Sequence, residues 1–169
     1  DAEGRAITAA GATARVLGGA LSATGAAGEI LTIVGRPAIE SLGTVFPELL
    51  VNGDFATDSD WVKSAQVTIS SGELHLVSND GSYQNASQTG PFPNGCTFKI
   101  TVEQTRVGAG QVFVQFTGGA IIVDIPATVG THEVYLENTA ASAQSINIGR
   151  KVGVTDIDIT RISVKDTSI

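Results

Sequence analysis

The chain has 169 residues, 42% of them apolar, with 10 Lys and Arg against 17 Asp and Glu and a formal net charge of −7. That is room for one domain with an ordinary core plus an appendage. An acidic chain with no Lys/Arg cluster lacks the electrostatic footprint of nucleic-acid binding, its single Cys96 excludes an internal disulfide framework or Cys-based metal site, and no apolar run approaches the roughly 18 residues of a spanning helix.

Neither nucleic acid nor membrane is therefore an expected partner. The chain opens on Asp1 rather than Met, from which we expect processing or trimming, and Asp1 and Glu3 stand where a secretory leader would be basic.

Residues 1–47 read as an extended Ala/Gly-rich arm. Residues 1–43 carry only seven charged side chains, and Gly4, Gly11, Gly18 and Gly25 recur at a spacing of seven. Each interior glycine would cost a helix about 0.8–1.0 kcal/mol relative to Ala, and Ile7, Val16, Leu17 and Leu21 trace no continuous apolar stripe. Residues 30–34, β-branched at Ile30, Thr32, Ile33 and Val34, read as a strand that ends before Arg36-Pro37. Ordering such an arm costs about 1–2 kcal/mol per residue, and Ala and Gly bury little area in return. Sister subunits or a larger assembly are thus expected to hold it. Ile30, Leu31, Ile33 and Val34 are the expected assembly contacts, because a short lone strand leaves its N–H and C=O groups unpaired.

After Pro47 the pattern changes to short alternating strands, expected near 48–52, 66–70, 73–78, 82–87, 96–105, 111–117, 119–125, 131–137, 143–149 and 156–165. Ser71-Gly72, Asn79-Asp80-Gly81, Asn94-Gly95, Gly108-Ala109-Gly110 and Gly118-Gly119 supply the turns. Ten strands without a convincing helix predict an all-β domain over residues 48–169, an antiparallel two-sheet jelly-roll sandwich.

Hydrolytic chemistry finds no support. His75 and His132 are far apart, and there is neither a Gly-x-Ser-x-Gly elbow nor a His-Glu-x-x-His helix. Alternation points His75 to solvent and puts His132 at the core rim with Val134 and Leu136, while Cys96 reads as a small apolar residue.

Several stretches share one pattern: Glu48-Leu49-Leu50-Val51-Asn52-Gly53-Asp54-Phe55, then Trp61, Ser82-Tyr83-Gln84, Gly95 to Val102, Gly130 to Leu136, and a closing Ile157 to Lys165. In this order they resemble the galactose-binding-like β-sandwich of carbohydrate-binding modules. The resemblance implies that Phe55 and Trp61 lie in the core. It also implies a structural Ca²⁺, the one cofactor to consider, between Asp54 and Asp158, with Asp58 and Asp60 near the first. Ala56 stands where the family motif has a Glu, which removes one ligand from an ion that takes six to eight oxygens.

Sugar binding needs an exposed aromatic ring beside hydrogen-bonding side chains. Phe98, Phe113 and Tyr135 fall in strands and are expected to face inward or toward a partner. That leaves Tyr83 and Phe92 in loops, with Asn79, Asp80, Gln84 and Asn85 as polar neighbours, as the candidate glycan site.

The segment Gly19 to Gly35 is similar to Ala/Gly-rich phrases of tailed-phage virion proteins. Taken together, the readings lead us to expect a non-enzymatic virion structural protein on the outer surface of a capsid or tail. A capsid decoration protein anchored by its arm to the major capsid protein or other virion proteins comes first, with a head or tail fibre component close behind. By resemblance to protruding virion jelly rolls it is expected to be a homotrimer, and a host surface glycan is a further partner to consider. The competing expectation is a carbohydrate-binding module of a secreted glycan-active protein.

Overall fold

The computed structural model describes residues 46–141 and 145–167, and among them it has eight strands and no helix. The readings for residues 1–45, including the assembly contacts at Ile30, Leu31, Ile33 and Val34, lie outside the described residues. The strands are β1 (Val62–Lys63), β2 (Val67–Ser70), β3 (Glu73–Ser78), β4 (Asn85–Thr89), β5 (Thr97–Phe116), β6 (Ile122–Asp124), β7 (Gly130–Glu137) and β8 (Ser145–Asp166). All pairings between them are antiparallel.

Local pattern builds the simplest unit. Val67 and Ile69 of β2 and Leu74 and Leu76 of β3 are buried while the residues between them are not, and the strands are joined by Ser71-Gly72. Both turn residues have positive φ, 57° and 77°. That matches a two-residue turn whose twist suits flanking strands.

The long strands organise the rest. β5 and β8 pair along nearly their whole lengths, and each belongs to two layers. In one layer the order is β2, β3, the C-terminal part of β8, the N-terminal part of β5, then β7. In the other it is β1, β4, the N-terminal part of β8, the C-terminal part of β5, then β6. Register shifts from Glu103 to Val112 bend the pair from one layer to the other, as bulges do at sandwich corners. This is the expected antiparallel jelly-roll sandwich.

One core fills the space between the layers. Phe98 of the first layer lies 5.0 Å from Phe116 of the second, with Phe92 5.8 and 5.2 Å from them. Leu74, Leu76, Ile100, Ile148, Ile157 and Ile159 are fully buried around them.

The strand count is smaller than expected because the bends are continuous. The expected strands 96–105 and 111–117 are one strand, as are 143–149 and 156–165. The expected opening strand at 48–52 is reduced to a single bridge, Glu48 to Lys165. It is nevertheless fixed to the end of β8: Leu49 N donates to Val164 O at 3.0 Å, and Ile162 N donates to Gly53 O at 2.8 Å.

Candidate functional site

The aromatic and polar residues expected to bind sugar are not all brought to the surface. Phe92 is buried at 3% exposure, packed on Phe98 and Phe116. The cause is Asn138, whose Nδ2 donates to the carbonyls of Phe92 (2.7 Å) and Pro93 (3.2 Å) and folds the loop inward. Gln84 is also buried, its amide joined to Ser82 Oγ and Gln66 N. Asn79 N donates to Gln66 Oε1, and Asp80 accepts from Ser82 N, whose side chain and backbone hold the Asp80 carboxyl below its ordinary pKa. Of the two aromatics Tyr83 is exposed as expected, and Asn79 and Asp80 are exposed with it. The Tyr83 hydroxyl accepts from Asn147 Nδ2 at 2.8 Å, and Asn147 Oδ1 accepts from Asn85, so Tyr83 and Asn85 share a partner on the β4 side of the sandwich.

The calcium pair is not brought together either. Gly53 pairs with Ile162, and Asp54 follows it, so Asp54 sits by Ile162 while Asp158 lies four residues, about 13 Å, back along β8. Asp58 pairs with Lys63, and Asp60 accepts from Ser59. Asp158 is instead buried under the guanidinium of Arg106 and accepts from His75 Nδ1 at 2.8 Å. With Ala56 offering no carboxylate, these residues do not fit a Ca²⁺ held by Asp54 and Asp158.

His75, expected in solvent, is half-buried in this network. Glu73, His75 and Asp158 place ligand atoms within 4.8 Å of one another. Arg106, however, also binds Asp156 and supplies the positive charge that a cation would. Burial works to raise the Asp158 carboxyl, but Arg106 and His75 outweigh it and hold it below the carboxylate range; Arg106 does the same for Asp156. Groups with lowered folded pKa contribute stability that is present above the unfolded value of about 3.9 and lost as pH falls through the folded values. Arg106→Gln should therefore lower the melting temperature at pH 7, and that difference should shrink on acidification below pH 4, in parallel melts of both proteins.

Another patterned surface lies on the outer face of β7, β5 and β8. Alternation exposes every second residue, and register aligns them into rows across the strands. Tyr135, Lys99 and Lys165 form one row; Glu133, Thr101 and Ser163 the next; Thr131, Glu103 and Arg161 the third. Thr101 and Ser163 are small, so they make a floor between two rows of longer side chains; Ser163 is buried, its hydroxyl donated to Glu48 Oε2. The result is a groove of about 320 Å³. Arg161 also borders a second depression of about 360 Å³, lined by Glu48, Asn52 and Asp54. Lys99 and Glu133 form an ion pair of 2.6 Å, which holds Lys99 above its usual pKa.

Tyr135 is the residue that sequence reasoning missed. Expected to face inward or toward a partner, it is 60% exposed. Its neighbours carried the signal: in Thr131-His132-Glu133-Val134-Tyr135, the residue shares parity with Thr131 and Glu133, not with the buried Leu136. His132 is half-buried and bonded to Thr128 O at 2.7 Å.

No family model and no curated protein matches the chain. Among solved structures it is similar to BiXyn10A CBM1 in its apo form, with TM-score 0.52, 10% identity, and coverage of 67% of this chain and 94% of that one. It also matches TmCBM61 in complex with β-1,4-galactotriose, with TM-score 0.45, 14% identity, and coverage of 71% and 99%. A third match is the enzymatically active domain of bacteriophage CBA120 tailspike protein 4, with TM-score 0.49 and 19% identity over 69% of this chain; the chain spans 21% of that one. The likeness to BiXyn10A CBM1 is one of fold, and the described residues form a β-sandwich of the carbohydrate-binding-module type.

Proposed function

We propose that this domain is a non-enzymatic glycan-recognition module that holds an oligosaccharide across the β7–β5–β8 face. The observation that carries the reading is the groove with Thr101 on its floor and the exposed Tyr135 beside it, in the row of Lys99 and Lys165. A pyranose presents an apolar face to an aromatic ring and hydroxyls at its rim. Lys99, Glu133 and Thr101 offer donors and acceptors to that rim.

Tyr135→Ala tests the reading. Its side chain is mostly exposed, so thermal melting should be unchanged while affinity for an oligosaccharide ligand falls roughly tenfold or more, the equivalent of about 1.4 kcal/mol. An affinity untouched by the substitution, measured by calorimetry, would remove the groove as the site.

The composition of residues 1–43 favours a setting for this module on the outer surface of a tailed-phage virion. There the arm anchors the domain as a homotrimeric capsid decoration protein, or as a head or tail fibre component, and the groove meets a host surface glycan. Deleting residues 1–43 should leave glycan affinity intact and abolish co-sedimentation with particles. Retained particle binding by the shortened chain counts against the anchor and favours a module of a secreted glycan-active protein.

A further inference from the structure

Charges in the groove are unevenly matched. Lys63, Lys99, Arg106 and Lys151 each have a carboxylate partner. Arg150, bonded to the Gly153 carbonyl, and Arg161 and Lys165 have none among the described residues, although the chain carries 17 acidic side chains against 10 basic ones; of the three, Arg161 and Lys165 line the groove. Arg161 and Lys165 lie on the same face of β8, on opposite walls of the groove with Ser163 between them. Glu103 stands in register with Arg161 and forms no ion pair with it. Glu48 is in register with Lys165, but its carboxylate accepts from Ser163 Oγ and from the N–H groups of Leu49, Leu50 and Val164.

A single exposed cation would be ordinary. Two on facing walls, against the single carboxylate of Glu48 that Ser163 and three N–H groups hold, leave the β8 end of the groove with an excess of positive charge on an otherwise acidic protein. Arg161 is exposed and borders depressions on both sides, so a ligand can reach its planar fork. That fork matches the two oxygens of a carboxylate. Toward β7 the sign changes, since Glu103 on the central strand β5 and Glu133 on β7 would repel an anion.

Resting on the glycan-binding reading, we propose that the groove selects an acidic oligosaccharide. Arg161 binds the carboxylate of one sugar unit at the β8 end, Lys165 faces it across Ser163, and a neighbouring ring stacks on Tyr135.

The test is an array of carboxylated oligosaccharides, uronate-containing and sialylated, each beside its carboxyl-reduced form, probed with the full chain and followed by calorimetry. Carboxylated ligands should bind roughly tenfold or more tightly than their reduced forms, as a charge-assisted hydrogen bond implies, and more weakly as salt rises. Arg161→Gln should erase that preference, so that carboxylated and reduced forms bind alike, while the melting temperature stays unchanged. Equal binding of both forms, still lost in Tyr135→Ala, would overturn the acidic selectivity and keep the glycan site. Binding to no glycan on the array, or binding indifferent to Tyr135→Ala, would overturn both.

Discussion

Trp61→Ala is expected to lower the free energy of unfolding by about 3–5 kcal/mol, as for other large aromatic deletions in a core. Trp61 is 7% exposed and Phe55 1%, with ring centroids 5.4 Å apart. The indole also donates from Nε1 to the carbonyl of Asn52 at 3.1 Å. That contact steadies a turn in which Asn52, Phe55 and Asp60 all have positive φ, a conformation that is costly for residues other than glycine. Asn52 holds the other side, its amide donating to the carbonyls of Thr57 and Ser59. Urea denaturation would measure the loss. Trp61→Phe should recover part of it, restoring packing but not the hydrogen bond. Glycan affinity below the melting temperature should not change; unchanged melting with lost affinity would make Trp61 part of the site and contradict its burial.

Gly110→Ala is expected to cost on the order of 3 kcal/mol, combining backbone strain with overpacking. Gly110 has φ of +76°, and a Cβ there would meet Thr155 Oγ1 at 2.4 Å and the Val154 carbonyl at 2.6 Å. One of those neighbours is backbone of β8, so it cannot rotate away. The position lies in the bulged stretch where β5 crosses from one layer to the other. A methyl group there pushes β5 from β8 at the corner both layers depend on. Gly72→Ala is the matched control: it has nearly the same φ, +77°, but nothing within 4 Å of the added carbon. It should show the strain without the clash, and a smaller fall in melting temperature. Equal losses in the two variants would mean that the close approach at Gly110 contributes nothing.

Much of the fold was legible because alternation and turn chemistry are local. Val67 to Leu76 reads as a hairpin from its period of two and its Ser71-Gly72 turn, and the structure has that hairpin. Continuity through bends was not legible. Gly108-Ala109-Gly110 reads as a turn between strands, yet the chain passes through it within one strand, because β8 follows the same bend and keeps pairing.

The site divides along the same line. Tyr83 and Phe92 look alike in sequence, each in a polar or proline-flanked loop, and Asn138, some 46 positions away, decides that Phe92 is buried. Asp158 reads as a calcium ligand until Arg106 and His75 are seen around it. The sequence by itself determined the all-β class, the hairpin at Val67 to Leu76 and which residues alternate inward, since each follows from side chains one or two positions apart. Only the tertiary structure decided that Tyr135, Lys99 and Lys165 form one row and Arg161 stands beyond Ser163. A groove across three strands is set by register between segments distant in the chain, and no local period encodes it.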